Sequence, residues 1–443
     1  MNLKKTLILT LILLGGISFI LAFVHIPSAI RSGKTVYPLL SFKKSDRVMI
    51  IAPHPDDEAL AAAGIIRYCV NHNIPVEVVI VTNGGSGLAW QRHTESLEAM
   101  KKLGLNDNIT FLDYPQMGLT HLLAQNWNKP YMDPKGISHS MDKFSHNPGA
   151  PYTGESLAME LEDIIYDFKP TVIIYPDSND VHQDHWATSA FVEYAITKLN
   201  YNCTTLGYMI HTPSNSWPSP RSYSPSSYLT PPSYLSAQEN WVEFPLTEKD
   251  EEFKASAIKS YKSQLKRGSY FLLSFVRKNE LFSIQHPITI SKNSSTGYPH
   301  LIFKDPENDV KKLTTSIETD MKTSESSVDL TNISFETDNN GTCISLQTKD
   351  KISANNIYEF HLLIIYGNNT TAEMDIQIKN GKYHINQYGT TLSNLTIINT
   401  GNAIIIKIPI IFKKGDNVIL SADTIDSKRK STDMSPWQII EIR

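Results

Sequence analysis

With 443 residues, 41% of them hydrophobic and 19% charged, the chain has room for two or three domains and a full-sized core, which excludes a disulfide-stapled miniprotein. Lys and Arg number 41 against 45 Asp and Glu, so a net charge of −4 offers no general attraction to polyanions and argues against a nucleic-acid partner. The three cysteines, Cys69, Cys203 and Cys343, have no C-x-x-C spacing, which excludes a thiolate zinc site and leaves the redox compartment open.

Residues 1–36 read as a membrane anchor or signal segment. After Lys4 and Lys5, residues 6–24 carry no charge; at about 1.5 Å per residue they would span roughly 28 Å, close to a bilayer core. The run is longer than a cleaved signal needs, and the His25-Ile26-Pro27 that follows is a poor cleavage context. The expectation is an uncleaved anchor with an extracytoplasmic body, or a secreted protein if the segment is removed. Basic residues flank the run on both sides, so the charge rule for orientation is nearly balanced.

Residues 37–286 alternate short β-branched runs with amphipathic stretches. Strands are expected at 47–52, 76–82, 109–114, 171–175 and 206–210, and helices at 57–71, 91–103, 156–168 and 186–199. This order predicts an α/β fold, a Rossmann-like, mostly parallel sheet with helices on both faces. Ligands of such sheets sit beyond the carboxyl ends of the strands. Two long interruptions, 115–151 and 212–236, hold several aromatics and read as groove walls or surface excursions, and a closing helix is expected over 247–265. Residues 287–330 read as a linker. From 331 to 443, strand-like runs separated by Asn, Gly and Asp turns predict an all-β sandwich as an accessory domain.

The chemistry concentrates after the first and fourth strands. Pro53-His54-Pro55-Asp56-Asp57-Glu58 sets an imidazole and a carboxylate three residues apart across a tight turn, and both can ligate one Zn²⁺. Alone, Asp56 or Asp57 would read as a helix cap. A second cluster, Asp180-Val181-His182-Gln183-Asp184-His185, follows the fourth strand and turns the reading toward a metal site. Asp184 is available there to orient a histidine ring. Asn83-Gly84-Gly85-Ser86-Gly87 lacks the Lys-Ser/Thr ending of a P-loop and reads as a rim of the crevice.

These two strings resemble the signature motifs of the PIG-L/LmbE-like zinc-dependent N-acetylglucosaminyl deacetylases, with Pro53 where the family usually has Ala. Thr82-Asn83-Gly84, Arg92 and Glu95, and Lys254 with Tyr261-Lys262-Ser263-Gln264, are weaker matches, so the resemblance spans roughly 45–265. It implies His54, Asp57 and His185 as zinc ligands and Asp56 as general base toward water at the metal. It also implies that His182, steadied by Asp184, stabilises the oxyanion and protonates the leaving amine. Fe²⁺ could use the same ligands. Arg92 and Glu95 are candidates for substrate binding, or else a helix-surface pair.

The expected function is a hydrolase that removes acetyl from N-acetylglucosamine-type amino sugars in a glycan or glycoconjugate. The alternatives are a zinc amidase acting on a small thiol-sugar conjugate or a sugar-phospholipid, and a non-catalytic surface glycan-binding protein.

Overall fold

The computed structural model describes residues 37–443 apart from 86, 142, 214–215, 237–239, 292–298, 313–325, 393 and 430. The expected anchor at 1–36 therefore lies outside the described residues; among those described, no helix is long and apolar enough to cross a membrane.

The α/β half runs β1 (Val48–Ala52), α1 (Asp57–His72), β2 (Val76–Thr82), α2 (Ala89–Leu103), β3 (Ile109–Tyr114), α3 (Leu119–Ala124), α4 (Gly154–Phe168), β4 (Val172–Pro176), α5 (Gln183–Lys198) and β5 (Thr204–Tyr208). It finishes with β6 (Asn240–Pro245), α6 (Glu248–Ile258), α7 (Lys262–Leu273) and β7 (Asn279–Ile284). The sheet order is β3-β2-β1-β4-β5-β7-β6, with β1 to β5 parallel and β7 antiparallel to both neighbours. Every residue of β1 and β4 is buried, as a parallel sheet covered on both faces requires. The chain order reverses between β1 and β4, which places the crevice at their carboxyl ends.

The closing helix is two helices. Tyr261 breaks it with a non-helical ψ of 62°, because its buried hydroxyl turns inward to donate to Glu58.

Part of the expected linker belongs to the β half. Ile288–Ile290 (β8), His300–Lys304 (β9) and Lys311–Lys312 (β10) are strands that pair with β20, β11 and β19. The remaining strands are β11 (Leu330–Asp338), β12 (Gly341–Thr348), β13 (Ile357–Ile365), β14 (Thr371–Lys379), β15 (Lys382–Tyr388), β16 (Thr396–Asn399), β17 (Ala403–Ile408), β18 (Asn417–Ile425), β19 (Ser431–Met434) and β20 (Gln438–Ile442). One sheet follows the order β10-β19-β18-β13-β14-β15, with β20 joining β18 to β8, and the other β16-β17-β12-β11-β9. Phe335 and Ile344 of the smaller sheet share a core with Phe360, Leu362 and Ile364 of the larger.

Alternate residues of β13 point the other way, as a pleated strand dictates. Leu363 and Ile365 join Ile419, Trp437 and Ile439 in the core cluster of the α/β half, beside Trp186 and Phe191 of α5. The larger sheet is thus buried on both faces, which explains the unbroken apolar run Leu362-Leu363-Ile364-Ile365. Residues Leu39–Arg443 accordingly form one compact unit.

Candidate active site

Two loops and two helix starts meet beyond β1 and β4. The first loop, Pro53 to Asp56, is pinned where the Thr82 backbone N–H donates to the Pro53 carbonyl (2.9 Å). Asp56 turns the chain into α1 at a φ of 125°, a conformation costly for a residue with a side chain. This turn lets the Asp57 carboxylate accept from the His54 backbone N–H (3.0 Å) while facing the His54 ring.

Three unlike donor atoms converge there. His54 Nδ1 lies 3.1 Å from Asp57 Oδ2, His185 Nε2 lies 3.0 Å from the same oxygen, and the two ring nitrogens are 3.2 Å apart. A tetrahedral zinc site with bonds of about 2.0 Å has ligand–ligand edges of about 3.3 Å, so the triangle is of the right size for that ion. Each imidazole also rests its other nitrogen on a carboxylate: His54 Nε2 is 3.0 Å from Asp184 Oδ2, and His185 Nδ1 is 3.1 Å from Asp180 Oδ2. Such outer carboxylates fix ring orientation and raise ligand basicity. All five side chains are buried. The donor set therefore fits a zinc ion.

The electrostatics agree with a site built for positive charge. Burial pushes Asp57 up, but His185 and His54 overcome it and hold its carboxyl well below the usual range. Burial works against a charge on His185 too, yet Asp180 and Asp57 raise it well above the ordinary imidazole value. Asp56 is pushed up to about 7 by burial, with Arg92 pulling it down and Asp57 and Glu58 pushing it further up.

His182 caps α5: its Nδ1 accepts from the Asp184 backbone N–H at 3.2 Å. A ring that accepts at Nδ1 carries its proton on Nε2. His54, His182 and His185 bring ring nitrogens within 4.8 Å of one another. The expectation that the Asp184 side chain steadies His182 is corrected by this geometry. That carboxylate faces His54 and accepts from the Met117 (2.6 Å) and Leu119 (3.3 Å) backbone N–H groups, so only the Asp184 main chain reaches His182.

Arg92 and Glu95 do not form the expected helix-surface pair, because both are buried and bonded to the protein itself. Arg92 donates to the Pro55 and Gly84 carbonyls at 2.5 and 2.9 Å and lies 3.4 Å from Asp56 Oδ2. Gly84, at φ +68°, is where a Cβ would fall 2.6 Å from Arg92, so glycine clears the path of the guanidinium. Glu95 accepts from the Ser263 backbone N–H (2.9 Å) and hydroxyl (2.6 Å) and fastens the start of α7. As a substrate-binding assignment, Glu95 has its carboxylate engaged, and Arg92 acts on the Asp56 loop.

Two residues to which the sequence assigned no role stand beside the ligands: Asp180, quoted within its motif, and His211. Asp180 is the hub of the second loop: it accepts from the backbone N–H groups of His182 (2.9 Å), Ile210 (2.8 Å) and His211 (2.9 Å) besides facing His185. The His211 ring lies against it, Nδ1 to Oδ1 3.3 Å. His211 belongs to no motif, and only its position just past β5 could have marked it.

Comparison with known proteins bears on both loops. The family model described as PIG-L, GlcNAc-PI de-N-acetylase, matches residues 49–196. "Probable N-acetyl-alpha-D-glucosaminyl L-malate deacetylase 2" of Bacillus cereus is 27% identical over 158 residues, 34% of this chain and 61% of the relative. Its Bacillus subtilis namesake is 28% identical over 166 residues, with the same coverage. The chain thus spans about 61% of the length of the curated relatives it matches. Among solved structures, an N,N'-diacetylchitobiose deacetylase from Pyrococcus horikoshii aligns at a TM-score of 0.35 and 19% identity, covering 54% of this chain and 84% of that one. A conserved protein from Thermus thermophilus aligns at 0.36 and 18%, covering 55% and 96%. The PIG-L family model thus matches the stretch from β1 to α5 that carries both ligand-bearing loops.

Proposed function

We propose that the chain is a zinc-dependent N-deacetylase that releases acetate from N-acetylglucosamine-type amino sugars in a glycan or glycoconjugate. The observation that carries this reading is the His54–Asp57–His185 triangle, with edges of 3.0–3.2 Å. When bound, the metal supplies Lewis-acid activation of water and polarisation of the amide carbonyl.

The protein's own groups account for the proton traffic. Asp56, held by Arg92 and by its own backbone N–H on Glu58 (2.9 Å), accepts the proton of the attacking water at its carboxylate. His182 presents Nε2–H to the carbonyl oxygen as negative charge develops there. Because its Nδ1 is already an acceptor, His182 is a neutral donor, a refinement of the general-acid role expected for it. The proton taken by Asp56 then passes to the nitrogen as the carbon–nitrogen bond breaks, leaving a free amine and acetic acid, which gives up its proton to solvent as acetate. Asp184 and Asp180 keep the two ligand rings in place throughout.

The test is acetate release from N-acetylglucosamine oligomers and surface polysaccharides by the zinc-loaded protein. Asp56→Asn should keep its zinc and lose about 10²–10⁴-fold in turnover, the usual range for a general base. A zinc-replete Asp56→Asn variant with undiminished acetate release would overturn the mechanism.

A further inference from the structure

A second group of acids lies against the Ser178–Val181 loop. Asp305, Asp309 and Asp433 bring carboxylate oxygens within 4.8 Å of one another. They line a cavity of about 20 Å³ together with Ser178, Asp180, Tyr234 and Lys311. Asp305 is only 3% exposed, and among the described residues its Oδ2 has no hydrogen-bond partner. The Asp309 Oδ1 and the Tyr234 hydroxyl are likewise buried without one. A buried carboxylate oxygen without a donor is costly, and three carboxylates around one small space amount to a ligand set.

The Lys311 ammonium also lines the cavity and attracts Asp309 and Asp433, but its hydrogen bond is spent elsewhere. Lys311 donates to the Val181 carbonyl and lies 3.6 Å from Met434 Sδ. Asp433 is positioned by the Leu330 (2.8 Å) and Met434 (3.0 Å) backbone N–H groups, which leave lone pairs on both oxygens. Burial, together with the neighbouring carboxylates, pushes Asp433 up to about 7 and Asp305 and Asp309 well above the usual range. The three acids thus crowd one another, and Lys311 offsets this only in part.

We propose that Asp305, Asp309 and Asp433 bind a calcium ion that fastens the β half to the loop carrying Asp180. The all-oxygen donor set selects a hard cation. A space of about 20 Å³ admits a single water-sized body. Magnesium keeps several of its waters, whereas calcium takes six to eight oxygens, which three carboxylates can largely supply themselves. The site is chemically distinct from the His54–Asp57–His185 centre and adjoins it through Asp180, which faces His185.

The test uses the full-length chain, stripped of metal, reloaded with one equivalent of zinc and titrated with Tb³⁺, with emission excited through Tyr234. One Tb³⁺ per chain is expected, displaced by Ca²⁺ and not by equal Mg²⁺. Calcium at about 100 times its Kd should raise Tm by roughly 3–5 °C. Asp309→Asn, at a half-buried position, should weaken Ca²⁺ at least 10-fold with an unchanged circular dichroism spectrum, and Asp433→Asn likewise. Tyr234→Phe should dim the emission while keeping the calcium-dependent rise in Tm. Calcium affinity unchanged in both Asp variants, or displacement by Mg²⁺ as readily as by Ca²⁺, would overturn the assignment. Terbium emission reads this site whether or not the zinc centre turns over substrate, so the two proposals fail separately.

Discussion

The α/β half and the β half both bury carboxylates, but in different places and with different results. In the α/β half they lie past strand ends, where loops offer free backbone N–H groups. Asp180 collects three of these and Asp184 two. Asp180 stays far below the usual carboxylate range; burial opposes this, and His185 and His211 overcome it. In the β half, Glu359, Glu373, Asp375 and Asp423 sit in mid-strand, where the ladder has already consumed the backbone donors. Burial raises Glu359 well above the usual range and pushes Glu373 up to about 9, with Asp375 adding to both. A buried acid is held ionised where cationic partners face it, as His185 and His211 face Asp180, and Glu373 has too little of that to offset its burial.

The sharpest way to break the contrast is at the zinc triangle. His185→Ala should abolish stoichiometric zinc binding and with it at least about 10³-fold of acetate release, measured by metal analysis and a coupled acetate assay. Retention of one tightly held zinc would mean that the triangle is not the metal site.

Next in size is the seam between the halves. Trp186 Nε1 donates to the Ser435 carbonyl (2.9 Å), and Trp437 Nε1 donates back to the Trp186 carbonyl (3.0 Å), with the rings 4.5 Å apart. Trp437→Ala should cost about 3–5 kcal/mol in urea unfolding. It should also lower activity, because Trp186 follows His185 directly. A loss below about 1 kcal/mol would show that the seam contributes little.

A smaller effect is expected at Gly84→Ala, where a positive φ and the crowding of Arg92 combine. About 1–3 kcal/mol of stability should be lost, with kcat falling more than KM rises as Arg92 shifts from Asp56. The smallest effect is a pH slope. A folded-state pKa raised above the unfolded value means that the native form holds the proton more tightly. Glu373 therefore contributes stability in full below about 4.5, and loses it as the pH rises toward about 9. Glu373→Gln should flatten that decline in thermal melts taken across this window; an unaltered slope would assign it to other groups.

Much of this architecture was legible in the sequence where pattern and local chemistry coincide. The Val/Ile-rich runs of β1, β2 and β4 and the two His/Asp strings declare themselves, whereas β5, Thr204–Tyr208, lies two residues before the strand expected at 206–210. What could not be read depended on distant partners. β8 to β10 are short, and their strand character comes from pairing with β20, β11 and β19. The break at Tyr261 is set by Glu58, far away in sequence. Arg92 and Glu95 stand where the weaker match puts them, yet their roles depend on Pro55, Gly84 and Ser263, contacts that no spacing encodes.

The paired tryptophans bear on how this protein can be taken apart or recombined. Since the residue after His185 is clasped by Trp437, 251 positions further along, the α/β half is not a cassette that can be cut out at its last strand and grafted elsewhere. Any chimaera that exchanges the β half would need to bring its own indole to that position, or accept a loosened first turn in the helix that bears the ligand.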